Sequence, residues 1–173
     1  MAPSNRFGVF SSVLETGDYL ALLHLSALEA KVAVSRVVDC CRASENPHLE
    51  TAGLLDESNW RPHLVAAVAL AALPYNRTSI TKLWQAFDAG SWVTPQLAVV
   101  AYIRDPNFQE LAKARILARC PLQTARLTSL FPLQRHVALE PAGARPRSAK
   151  AGASLVRLMG HIQPTPEWFA REQ

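Results

Sequence analysis

Shifted along itself by 32 residues, this chain matches its own sequence without a gap: residues 56–74 (DESNWRPHLVAAVALAALP) lie over residues 88–106 (DAGSWVTPQLAVVAYIRDP). Six of the nineteen positions are identical, Asp56/Asp88, Trp60/Trp92, Ala66/Ala98, Val68/Val100, Ala69/Ala101 and Pro74/Pro106, and most apolar positions between them stay apolar. Self-similarity at a fixed period of roughly 20–50 residues is the mark of stacked supersecondary units. The two copies predict a common plan. An Asp closes the preceding helix and its turn, a Trp anchors the turn against the core, and an Ala/Val-rich helix follows. Residues 64–73 are ten apolar residues in a row, so that helix has no polar face and must be covered on both sides. Stacked helical pairs meet the need, because each buries its inner helix between its neighbours.

Capping signals and short breaks divide the rest of the chain into helices. Thr16 or Asp18 caps a long helix through about Arg42, with Leu20, Leu23, Ala27, Ala30, Val34 and Val37/Val38 as an apolar stripe at helical spacing. Asn46 and Pro47 open a short helix to about Leu55, and Asn59 opens the apolar helix that ends at Leu73, before Pro74. Ser79 starts a helix to about Ala89, and Thr94 with Pro95 starts one to about Arg104. Asp105 and Pro106 stop that helix, and Pro106 or Asn107 begins another to Arg119. Breaks of a few residues suit helices packed antiparallel to their neighbours. The fold expected is all-α, a short right-handed stack of antiparallel helical hairpins over residues 1–135. Residues 122–133 are expected to form a further helix interrupted by Pro132. Residues 136–150 read as a basic Pro/Gly/Ala linker or loop, and 151–173 as a final helix and tail docked on the body through Trp168 and Phe169.

The sequence offers little chemistry. At 49% hydrophobic and 18% charged, 173 residues are enough to bury one core, yet no stretch reaches the ~18 apolar residues of a membrane span. Residues 1–14 are too broken for a signal-peptide core. The expected compartment is a bacterial cytoplasm, given the Ala-, Arg- and Pro-rich usage. Cys40 and Cys41 are adjacent and make no disulfide framework; they read as half-buried reduced thiols, with a redox-sensing pair as the alternative. The histidines at 24, 48, 63, 136 and 161 show no metal-ligand spacing, and neither a nucleophile elbow nor a phosphate-cradling glycine loop occurs. Glu50, Asp56, Glu57 and Asp88 gather near turns, where the recurrence of Asp at the repeat period makes capping the simpler reading. His63, beside Trp60 and Arg61, reads as a satisfied helix terminus sooner than a catalytic base. No catalytic residue, metal or cofactor is expected.

On the Asp56/Asp88 and Trp60/Trp92 turns, the apolar helices 60–73 and 92–104 and the amphipathic helices 79–89 and 107–119, the chain resembles HEAT-like repeats, an α-solenoid class built of helical hairpins. The match covers residues 47–119. Its period is shorter than the ~40 residues usual for that class, which leaves other α-solenoid subtypes open. Position 124, where a third Trp would fall, is Thr. The resemblance implies a non-enzymatic protein-binding module, an adaptor, inhibitor or immunity-type protein, that meets another protein through the face of its second helices. Lys82, Trp84, Gln85, Gln109, Lys113, Arg115 and Arg119 are the candidates on that face, Trp84 being either an aromatic anchor or core packing beside Leu83 and Phe87. Residues 1–103 hold 7 Lys/Arg against 9 Asp/Glu and residues 104–173 hold 11 against 5, an asymmetry suited to an acidic partner. The alternative is a basic groove for nucleic acid, in which Lys113, Arg115, Arg119 and Arg126 track phosphates.

Overall fold

The structure, a computed structural model, describes residues 7–23 and 28–117. It is all-α, with no strand among the described residues. Two short 3-10 helices, Gly8–Phe10 and Asp18–Leu23, flank or follow α1 (Ser11–Glu15); then come α2 (Leu28–Ala43), α3 (Pro47–Leu55), α4 (Trp60–Ala72), α5 (Arg77–Asp88), α6 (Thr94–Arg104) and α7 (Phe108–Leu117). The expected helix 122–133, the linker 136–150 and the tail 151–173 lie outside the described residues.

Local chemistry sets most boundaries. The Asn59 carboxamide accepts the Arg61 N–H at 3.1 Å and caps α4, as its position before an apolar run predicts. In α5 the cap is Asn76 rather than Ser79. The Asn76 side chain accepts the Ser79 N–H at 3.0 Å, so the helix begins two residues earlier than expected. Ser79 itself is buried and donates its hydroxyl to the His48 carbonyl at 3.2 Å. In α6, Val93 occupies the cap position and Thr94 is already helical, its hydroxyl turned back onto the Ser91 carbonyl.

The long first helix does not form. Gly17, at the edge of the expected helix, adopts φ +79°, a left-handed conformation that glycine adopts without a Cβ clash; Asp18–Leu23 then coil as a 3-10 helix, and the α-helix begins only at Leu28. Leu20, counted in the expected stripe, is consequently exposed, whereas Ala30, Val34 and Val37 of α2 reach the core. A second glycine, Gly8, has φ +54°, and a Cβ there would fall 2.4 Å from the Glu50 carboxylate. That close approach lets Glu50 accept the Val9 N–H at 3.0 Å and the Ser44 hydroxyl at 3.0 Å, tying the N-terminal turn to α3.

The core is centred on α4. Every residue from Pro62 to Ala71 is buried. A helix apolar on all sides needs cover on all sides, and α4 touches α1, α2, α3, α5, α6 and the 3-10 helix Asp18–Leu23. Thr94 to Ala101 of α6 are likewise buried. Helices two apart in sequence lie against one another, α2 on α4, α4 on α6 and α3 on α5. At the far end, the Arg104 guanidinium of α6 donates to the Ala71 carbonyl in the last turn of α4.

The two repeated aspartates have matching roles. Asp56, at the end of α3, accepts from Lys82 of α5 at 2.6 Å. Asp88, at the end of α5, takes both Nε and Nη2 of Arg115 on α7, at 2.8 and 2.7 Å. Each acid thus reaches from one helix to the helix two further along, although solvent exposure holds the worth of each pair to roughly 1 kcal/mol or less.

Candidate docking surface

The face expected from sequence divides in the structure. Ile80, Leu83, Trp84 and Phe87 of α5 follow helical spacing and are buried together, which takes Trp84 into the core. Its ring stacks on Phe108 at 5.8 Å between centroids and meets Phe87 edge-on at 5.4 Å. Its Nε1 donates to Asp105 Oδ2 at 2.6 Å, and the Arg115 guanidinium lies 4.1 Å from the ring centroid. Trp84 is therefore a packing residue and offers no anchor to a partner. Lys82 and Arg115 are half-buried and held by Asp56 and Asp88. Gln85, Gln109 and Lys113 are exposed. Arg119 and Arg126 lie outside the described residues.

A different surface emerges just past Asp56 and Asp88, where the chain turns from α3 into α4 and from α5 into α6. Trp60, half-buried, is the first residue of α4, while Trp92 precedes α6 and is 65% exposed. The two rings meet edge-to-face with centroids 4.9 Å apart, and Tyr19 also meets Trp60 edge-to-face, at 5.8 Å. Arg61, exposed, lays its guanidinium 5.4 Å from the Trp60 centroid and 5.7 Å from that of Tyr19. The expectation that both repeated tryptophans anchor their turns against the core thus fails for Trp92. Helix α6 begins two residues after Trp92, whereas α4 begins at Trp60, so equivalent sequence positions stand differently to their helices. Trp92→Ala should accordingly change stability by about 1 kcal/mol or less, as expected for a surface substitution, and a thermal melt is the check.

His63, one helical turn beyond Trp60 in α4, is 5% exposed. Its Nε2 lies 2.7 Å from the Glu57 carbonyl, which only accepts, so Nε2 carries the proton. Nδ1, 2.8 Å from Ser91 Oγ, then accepts the serine hydroxyl. The neutral ring joins the α3–α4 turn to the α5–α6 turn, the two turns that present Trp60 and Trp92. Burial pushes the His63 pKa down, against the opposing effects of the backbone at Glu57 and Leu55 and of the Glu57 charge. The contact spans 28 residues of sequence, and no local motif marks it.

Other reactive groups are subdued. Burial pushes the Cys41 thiol up to about 12 and raises that of Cys40, whose Sγ donates to the Val9 carbonyl at 3.1 Å. Both are held as thiols, which counts against a reactive pair. Among the described residues no group of three or more His, Cys, Asp or Glu is placed to hold a metal ion. Among them, too, no helix is long and apolar enough to cross a membrane. In comparisons with known proteins, no family model, no curated protein and no solved structure matches this chain.

Proposed function

We propose that this chain is a non-enzymatic protein-binding module, an adaptor or inhibitor, whose docking surface is the aromatic row Tyr19–Trp60–Trp92 with Arg61 laid across it. The observation that carries this reading is the exposure of Trp92, at 65%, while its ring rests on Trp60. Trp, Tyr and Arg supply most interface energy when a partner buries them, and rings already braced by edge contacts lose little freedom on binding. Arg61 makes no ion pair among the described residues. The partner is therefore a protein segment that places a carboxylate beside an apolar side chain. Stacked hairpins of HEAT-like type suit this role. The packing of helices two apart and the Asp56–Lys82 and Asp88–Arg115 pairs support that architecture. The same two ion pairs weigh against a phosphate-tracking groove, because they already neutralise Lys82 and Arg115.

The test compares the wild-type chain with Trp92→Ala in capture from the source cell, followed by reconstitution of the identified partner from purified components. The expected result is at least about a tenfold loss of affinity, or 1.4 kcal/mol, in a variant that melts as the wild type does. Equal binding by both proteins would place the docking face elsewhere. Steeply salt-dependent binding to duplex DNA, unaffected by Trp92→Ala, would favour the nucleic-acid reading instead.

A further inference from the structure

The turns that carry Trp60 and Trp92 are joined through the buried imidazole of His63, bonded to the Glu57 carbonyl on one side and the Ser91 hydroxyl on the other. Ser91 immediately precedes Trp92, and His63 lies one helical turn beyond Trp60. We infer that His63 is an acid-sensitive latch: taking up a proton at Nδ1 releases the α5–α6 turn and separates Trp92 from Trp60. As regulation of a docking surface, this rests on the function proposed above; as a property of the free protein it does not.

The proton mechanics are specific. In the neutral ring Nδ1 accepts from Ser91. Once a proton from solvent occupies Nδ1, both ring nitrogens are donors. Ser91 must then turn its own hydroxyl proton away, and a cation sits where only 5% of the residue meets water. Opening the turn to solvent relieves both problems. Little nearby charge compensates. The Glu57 carboxylate, on the α3–α4 turn, acts on the ring and favours the proton, but less than burial opposes it. Asp56 on that side is paired with Lys82, and Asp88 on the α5–α6 side with Arg115. Arg61 on α4 lies over the aromatic rings, and α6 carries no charge before Arg104.

The direction follows from linkage. Because the folded, latched state holds the His63 pKa below that of the open chain, the latch is complete above about pH 6.5 and is lost as pH falls below it. One proton weakens the latched state by at most about tenfold per pH unit.

The experiment is a pH titration of the full free chain, from about pH 8 to 5, read by near-ultraviolet circular dichroism with Trp92→Phe identifying the Trp60–Trp92 contribution. The expected result is a constant signal above neutrality and its loss below about pH 6.5 as a one-proton transition. His63→Gln, which keeps a donor and an acceptor, should make that signal independent of pH, and Ser91→Ala should weaken it already at neutral pH. A signal flat throughout in the wild type, or a transition that persists in His63→Gln, would overturn the latch even if a partner binds through Trp92. A titrating signal would support it even if no partner does.

Discussion

Replacing Trp84 by Ala is expected to destabilise the protein by about 3–5 kcal/mol. The ring is 4% exposed, stacked on Phe108 and set edge-on to Phe87, so its removal leaves a cavity between α5 and α7 that these two fixed neighbours cannot close. The indole N–H is also the donor to Asp105, itself 6% exposed, and an acceptor left buried without it adds about 1–3 kcal/mol, which moves the expectation toward the upper end. Trp84→Phe separates the two contributions, because it keeps most of the packing and loses only the donor. Urea unfolding with an unchanged slope reads both variants. A loss of less than about 1 kcal/mol in Trp84→Ala would mean that the residue lies at the surface.

The second large effect concerns α4. Ala67 and Ala69 are both 0% exposed and point about 200° apart around the helix. Ala67→Leu and Ala69→Leu should each cost about 1–3 kcal/mol or more, since added methyl groups have no room on either side. In a chain of this size that is roughly 2–4 °C of melting temperature per kcal/mol. An amphipathic helix would tolerate one of the two. A neutral result for either variant would therefore show an open flank on α4 and remove the reason for its complete cover.

How far the sequence announced this structure can be followed through its tryptophans. Trp84 and Trp92 look alike in composition and differ in fate. Helical spacing with Ile80, Leu83 and Phe87 sends Trp84 inward, a signal plainly readable once the stripe is drawn. Self-similarity assigned Trp92 the place of Trp60, and that equivalence broke because α6 starts two residues late. Of the expected caps, Asn59 stands where its backbone role requires and Pro47 opens α3, but Asn46 bonds no first-turn N–H through its side chain, Asn76 takes the place expected of Ser79, and Thr94 is already helical. The stripe from 18 to 42 misled, because apolar spacing persists through Asp18–Leu23, which coil as a 3-10 helix, and the α-helix begins only at Leu28. The His63–Ser91 contact was invisible for a different reason. It is created by the packing of two turns, and neither residue carries a local mark of the other.

The two ion pairs have a consequence for how the molecule responds to its medium. Both run along α3, α5 and α7, and neither involves α4 or α6. Concentrated electrolyte, which shrinks the reach of exposed charges to about 3 Å at molar strength, therefore loosens one layer of the protein and leaves the greasy one untouched. In brine, amide exchange should quicken first in α7, which Arg115 ties to α5, while α4 keeps its protons.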